Sequence, residues 1–241
     1  AAYMDCILGR GPKYVFKNAK LRKYFKEVSM HSYWSGADTK KNAENYFSDK
    51  YSKYSVAATE YCQMTDDKNT GVYDLIAKEK NGTNGTSIKY GVAMANTIVD
   101  DLTIMNANEW DWWTACSYGT YTDGLIYLDE DNHENLDFSK RYYCLGNFSK
   151  FIKEGAVRVA CSSGVKNVRS VAFVNEDNTV VTVYVNNNDK KAYTTIDCEG
   201  DYAVYTTDRD NDIAKTDFGK AKKVKVSLPA SSVVTVVYEA K

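Results

Sequence analysis

The first part of the chain alternates between two hydrophobic periods. Leu21, Tyr24 and Phe25 recur at i, i+3 and i+4 among basic residues, which predicts an amphipathic helix over 18–27. A strand follows over 28–34, stopped by the breaker Gly36, and a polar helix with Ala43, Tyr46 and Phe47 on one face covers about 39–51. The next strand is the small-residue run Ser55-Val56-Ala57-Ala58-Thr59, which ends abruptly on Glu60. Continuous small and β-branched residues suit a strand buried on both faces, as in a parallel sheet.

Further on, the pattern predicts helices over 72–79, 87–105 and 140–152, the last with Ser139 as N-cap. Between them lie the turn-rich segment 81–86 and a strand around 109–115. Helix and strand in alternation is the grammar of βαβ units. At Gly155 it changes to seven short β-rich runs, 157–161, 168–174, 179–185, 191–196, 202–206, 224–228 and 232–238, separated by polar turns. That spacing predicts an antiparallel sandwich. The expected fold is therefore α/β over 1–153 followed by an all-β part over 154–241. A complete (β/α)8 barrel needs about 250 residues, so three parallel strands lead us to expect the C-terminal part of a larger protein, completed by an upstream half or by another chain.

Composition narrows the partners. The net charge is −1 with acids and bases dispersed, so nucleic acid and anionic membranes are not favoured. No apolar run reaches the roughly 20 residues of a membrane span, and the start, Ala1-Ala2-Tyr3-Met4-Asp5-Cys6, lacks the regions of a signal peptide. Six scattered cysteines without a CxxC pair argue against zinc and read as buried thiols, with disulfides left open. Tyr and Trp, 20 and 4, outnumber the 8 Phe. Such rings suit surfaces that meet sugars, and suit half-buried positions equally.

Three strand ends carry the candidate chemistry: His31-Ser32-Tyr33-Trp34, Thr59-Glu60-Tyr61-Cys62 and Trp110-Asp111-Trp112-Trp113. In barrels the chemistry sits at the C-terminal ends of the strands. Gathered at one mouth, these ends would offer a carboxylate, an imidazole and indoles, the equipment of a sugar site. Each also has an ordinary reading: a solvated Glu60, a His31 bonded to a backbone carbonyl, and a core role for Trp110 and Trp112. Glu109 and Asp111, on the alternate face, are second-choice carboxylates.

These motifs, with Tyr118, Asp123-Gly124-Leu125-Ile126-Tyr127, the helix opening Lys140-Arg141-Tyr142-Tyr143-Cys144 and the ending Leu228-Pro229-Ala230-Ser231-Ser232, resemble the C-terminal half of glycoside hydrolase family 30. The resemblance implies a TIM barrel with an attached β-sandwich and retaining hydrolysis of a β-glycosidic bond, without cofactor or metal. It implies Glu60 as nucleophile, with the acid/base on the fourth barrel strand, upstream of Ala1. His31, Tyr33, Trp34, Tyr61, Trp112 and Trp113 become the expected substrate-binding residues.

Family xylanases that recognise glucuronic acid carry an arginine after the eighth strand, where this chain reads Thr114-Ala115-Cys116-Ser117-Tyr118. The motif set is more similar to the endo-β-1,6-galactanase-type members. Secretion follows from a polysaccharide substrate, and Asn81, Asn84 and Asn147 head glycosylation sequons. The rival expectation is a non-catalytic carbohydrate-binding or assembly module, since unpaired parallel strands invite a partner.

Overall fold

A computed structural model describes residues 17–63, 87–118, 122–129, 131, 132 and 134–239. The predicted helix over 72–79, the turns over 81–86, the sequons at Asn81 and Asn84, and Cys6 lie outside the described residues.

The first sheet is parallel, in the order β1 (Glu27–His31), β2 (Ser55–Glu60), β3 (Glu109–Trp110). Its middle strand is walled on both sides because Ala57 and Ala58 are small enough to be covered completely. Helix α2 (Ala37–Tyr51) packs Ala43 and Phe47 onto Val28, Met30 and Val56, closing one small core. Burying each such side chain contributes about 1.5–3 kcal/mol. Helix α3 (Ile88–Thr103) and helix α4 (Lys140–Ser149) form the next layer. In chain order, a small sheet of β4 (Cys116–Tyr118), β5 (Ile126–Leu128) and β6 (Leu136–Phe138) comes between α3 and α4.

Several predicted boundaries shift. Only one turn, α1 (Ala19–Arg22), winds in the predicted first helix, capped by the Asn18 side chain, and Leu21, Tyr24 and Phe25 remain exposed. The strand expected over 28–34 ends at His31, since Ser32–Trp34 turn away toward α2 with Trp34 in the left-handed region, φ 53°. The strand expected over 109–115 is two residues long. Ser139 is the N-cap residue of α4 as expected, with its hydroxyl donating to the Leu125 carbonyl instead of accepting from a helix N–H, and the helix ends at Ser149.

The all-β part is a six-stranded antiparallel sheet in the order β11 (Ala214–Leu228), β10 (Ala192–Thr207), β12 (Ser232–Glu239), β9 (Thr179–Asn186), β8 (Val168–Val174), β7 (Val157–Val159). Two of the seven predicted runs, 191–196 and 202–206, prove to be the two ends of β10, interrupted by a register shift between Asp197 and Gly200. One half of β10 pairs with β12 and the other only with β11. The strand folds over at the shift, which a bulge allows, and brings Ile196 and Cys198 onto Tyr184, Val234 and Val236 as the second layer of a sandwich.

The opposite face of β8, β9 and β12 is covered by helices. Val171, Phe173, Val181, Val183 and Val233 pack on Met94, Ile98 and Phe148 of α3 and α4. Asn147 on α4 is fully buried and holds Thr235 and Thr207, with its amide donating to Thr235 Oγ1 at 3.0 Å and its Oδ1 accepting from Thr207 at 2.5 Å. The sequon at Asn147 is therefore a packing element of the folded chain, its amide already spent on two strands.

Candidate active site

Glu60 is the last residue of β2, and the register places it directly beside His31, the last residue of β1. The pairing skips Thr59 on β2, since Met30 pairs with Ala58 and His31 with Glu60, which brings the two ends level. His31 Nδ1 lies 3.9 Å from Glu60 Oε1, with both side chains about one-third exposed, at 27% and 35%. Two residues on, the turn after β1 swings the Tyr33 ring back so that its hydroxyl donates to the same Oε1 at 2.9 Å. Both contacts fall on Oε1, so the two oxygens of the carboxylate are not equivalent.

Burial pushes the Tyr33 phenol well above its ordinary range, and its hydrogen bond with Cys62 adds to this. It therefore stays a donor at every physiological pH. Cys62 Sγ lies 3.5 Å from the same hydroxyl, and burial raises the thiol too. A buried neutral thiol is a packing partner rather than a nucleophile.

An aromatic wall stands behind this group. The Tyr61 ring meets Tyr33 at 5.6 Å, Trp110 at 6.0 Å and Trp112 at 5.9 Å between centroids. Tyr61 is 1% exposed, so it carries the wall and presents no face to a ligand, in contrast to its expected substrate-binding role. Trp34 and Trp112 are half-buried and pack against this cluster. Trp112 is oriented by donating its indole N–H to the Asp123 carbonyl at 2.6 Å. Trp113 stands outside the cluster, 54% exposed, tied to it by its backbone N–H on the Tyr61 carbonyl at 2.9 Å and followed by a cis peptide bond. The second-choice carboxylates Glu109 and Asp111 are exposed, and repulsion from Asp111 raises the Glu109 carboxyl.

Three charged residues behind the wall were not among the expected site residues. Asp101 of α3 and Lys40 of α2 form an ion pair of 2.7 Å that is essentially inaccessible to water. Arg141 of α4, also fully buried, donates to Gln63 Oε1, the Gly124 carbonyl and the Tyr127 hydroxyl. The sequence does carry a signal for them: Lys40 precedes Ala43 and Phe47, Asp101 follows Met94 and Ile98, and Arg141 precedes Cys144 and Phe148, each on the apolar stripe of its helix. Among the described residues no three His, Cys, Asp or Glu side chains group as metal ligands, and no helix is long and apolar enough to cross a membrane.

Known proteins resemble both parts. The profile of O-glycosyl hydrolase family 30 matches residues 9–127, and that of the glycosyl hydrolase family 30 beta sandwich domain matches residues 155–236. Among solved structures, a family 30 endoxylanase from Clostridium papyrosolvens C71 aligns with a TM-score of 0.72 at 21% identity, over 97% of this chain and 54% of its own. A conserved exported protein from Bacteroides fragilis gives 0.72 at 26% identity, over 88% of this chain and 46% of its own. An endo-β-1,6-glucanase gives 0.61 at 17%, over 97% and 45%. The chain thus spans about half the length of the solved structures it matches. Two profiles of one family, laid in order over a partial barrel and a sandwich, lead to one assignment: the chain belongs to glycoside hydrolase family 30.

Proposed function

We propose that the chain carries the nucleophile of a retaining endo-β-glycanase, and that this nucleophile is Glu60. The observation that carries the reading is the carboxylate at the end of β2, held at Oε1 by the Tyr33 hydroxyl and flanked by His31, in front of an aromatic wall. With Oε1 held, Oε2 is the oxygen that attacks the anomeric carbon, and the bond from that carbon to the leaving oxygen breaks as a second carboxyl protonates it. Water then displaces the glycosyl group from Glu60 while giving its proton to that same second residue, so the anomeric configuration is kept. A retaining pair stands about 5–5.5 Å apart. We place the acid/base on a barrel strand contributed by sequence outside these 241 residues, in the same polypeptide or in a partner chain.

Trp34, Trp112 and Trp113 offer the exposed aromatic surface on which a sugar ring would stack. The substrate we favour is a neutral β-1,6-galactan-type polysaccharide over glucuronoxylan, because the segment from Thr114 to Tyr118 offers no cation to a uronic acid. Such a substrate calls for secretion, and the exported relative is consistent with it. The test is hydrolysis of both polysaccharides by the protein with its barrel complete, with the product anomer followed by NMR. Glu60→Gln should abolish turnover in a folded protein, and full activity in that variant sinks the assignment.

A second reading, a non-catalytic glycan-binding or assembly module, is favoured by β1, which is paired on one side only among the described residues. Retention on insoluble glycan without turnover by the complete protein would select it.

A further inference from the structure

We propose that Asp101 and Lys40 are positioning residues, which hold the two flanks of Glu60 at a fixed spacing. Asp101 accepts from three side chains on three different elements: Lys40 Nζ on α2 at 2.7 Å, Ser32 Oγ just past β1 at 2.7 Å, and Trp110 Nε1 on β3 at 2.9 Å. All three partners are donors, so a carboxylate satisfies them together, whereas an asparagine would turn an N–H against one of them.

Stability alone gives no reason for this arrangement. A buried ion pair replaced by apolar residues of similar volume is often neutral or more stable. What the pair does here is reach the site by two routes. Ser32 is fully buried and lies between His31 and Tyr33, the two residues whose side chains meet Glu60 Oε1. Trp110 packs on Tyr61, the residue next to Glu60. Lys40, at the start of α2, neutralises the carboxylate and ties that helix to α3, so the ends of β1 and β3 are referred to one buried atom group. The glutamate between them inherits that spacing.

The inference rests on reading Glu60 as the working carboxylate, but its test needs no turnover. The chain has two histidines, so the His31 imidazole resonances are readily assigned by NMR. In the wild-type chain, Glu60→Gln should displace them, because the carboxylate lies against Nδ1. In the double variant Lys40→Met/Asp101→Leu, which removes both charges of the pair together, the same Glu60→Gln change should displace them by less than half as much at an unchanged far-UV circular dichroism spectrum. A fully retained displacement in the folded double variant overturns the proposal. If the double variant does not fold, Ser32→Ala and Trp110→Phe each cut one of the two routes, and a full displacement in both overturns it equally. Activity surviving Glu60→Gln in the complete enzyme would count against the proposed function while leaving this result in place.

Discussion

The guanidinium of Arg141 lies 5.5 Å from the ring centre of Trp112, with no part of the arginine exposed to solvent. It binds the strand end through Gln63 and the small sheet through Gly124 and Tyr127, and burial depresses its pKa while the Tyr127 hydroxyl favours the charge. Stacked beneath Trp112, it sets the height of the aromatic surface above it.

Arg141→Lys is therefore not a conservative change. A lysine cannot span acceptors that a planar fork reaches, and buried acceptors left unpaired cost about 1–3 kcal/mol each. We expect a loss of about 3 kcal/mol, read from urea unfolding, together with a change in tryptophan fluorescence. A variant of wild-type stability would refute the account.

Tyr33→Phe keeps the ring in its buried slot and removes the donor to Glu60. A hydrogen bond to a charged group is worth about 1.5–3 kcal/mol, which, kept into the transition state, corresponds to about a 10- to 160-fold drop in kcat. The same loss of stability should lower the melting temperature by about 3–12 °C. An unchanged rate would show that the contact at Oε1 does not matter to the reaction.

Stability should fall on the alkaline side. Burial holds the Tyr33 and Tyr184 phenols and the Cys144 thiol above their ordinary ranges. The folded chain keeps these protons while the unfolded chain begins to release them, from about pH 8.5 for a thiol and about pH 10 for a phenol. Above those values the unfolded state binds fewer protons, so the stability fully present at neutral pH is lost as pH rises. Melting temperatures between pH 7 and 11 should decline from about pH 8.5, and Cys144→Ala should flatten the first part of that decline even if it lowers the whole curve. A slope unchanged by the substitution would exclude Cys144 as its source.

Gly91 of α3 lies directly against α4. A Cβ there would stand 2.6 Å from Cys144 Sγ and 3.0 Å from the Lys140 carbonyl oxygen. Gly91→Ala gains about 1 kcal/mol of helix propensity but overpacks the contact by about 1–3 kcal/mol, so the net effect should be destabilising. Adding Cys144→Ala should restore part of the loss and not all, since the backbone oxygen remains. A stabilised single variant would contradict the geometry.

The strand ending on Glu60 could be read in advance because a run of small and β-branched residues suits a strand buried on both faces, and the register then placed His31 beside its end. The aromatic wall was half legible. Alternation put Trp110 and Trp112 on one face, but only the packing shows that Tyr61 is sealed in while Trp113 is not. The first predicted helix failed because the spacing of Leu21, Tyr24 and Phe25 speaks of a face and not of anything to cover it. Asp101, Lys40 and Arg141 were not singled out as site residues, since a charge on an apolar stripe acquires meaning only when its partner, far away in sequence, is known. The fold-over of β10 was hidden for a similar reason: a bulge and a turn leave the same polar break in the pattern.

Strand β9 has helices against one of its faces and the second sandwich layer against the other. The change of grammar near residue 154 is consequently a poor place to dissect the molecule. Cutting there would strip Val181 and Val183 of their cover and leave the apolar stripes of α3 and α4 bare, so each piece would carry a sticky surface meant for its neighbour. Anyone seeking a soluble half should trim elsewhere, because the two architectures share a single interior.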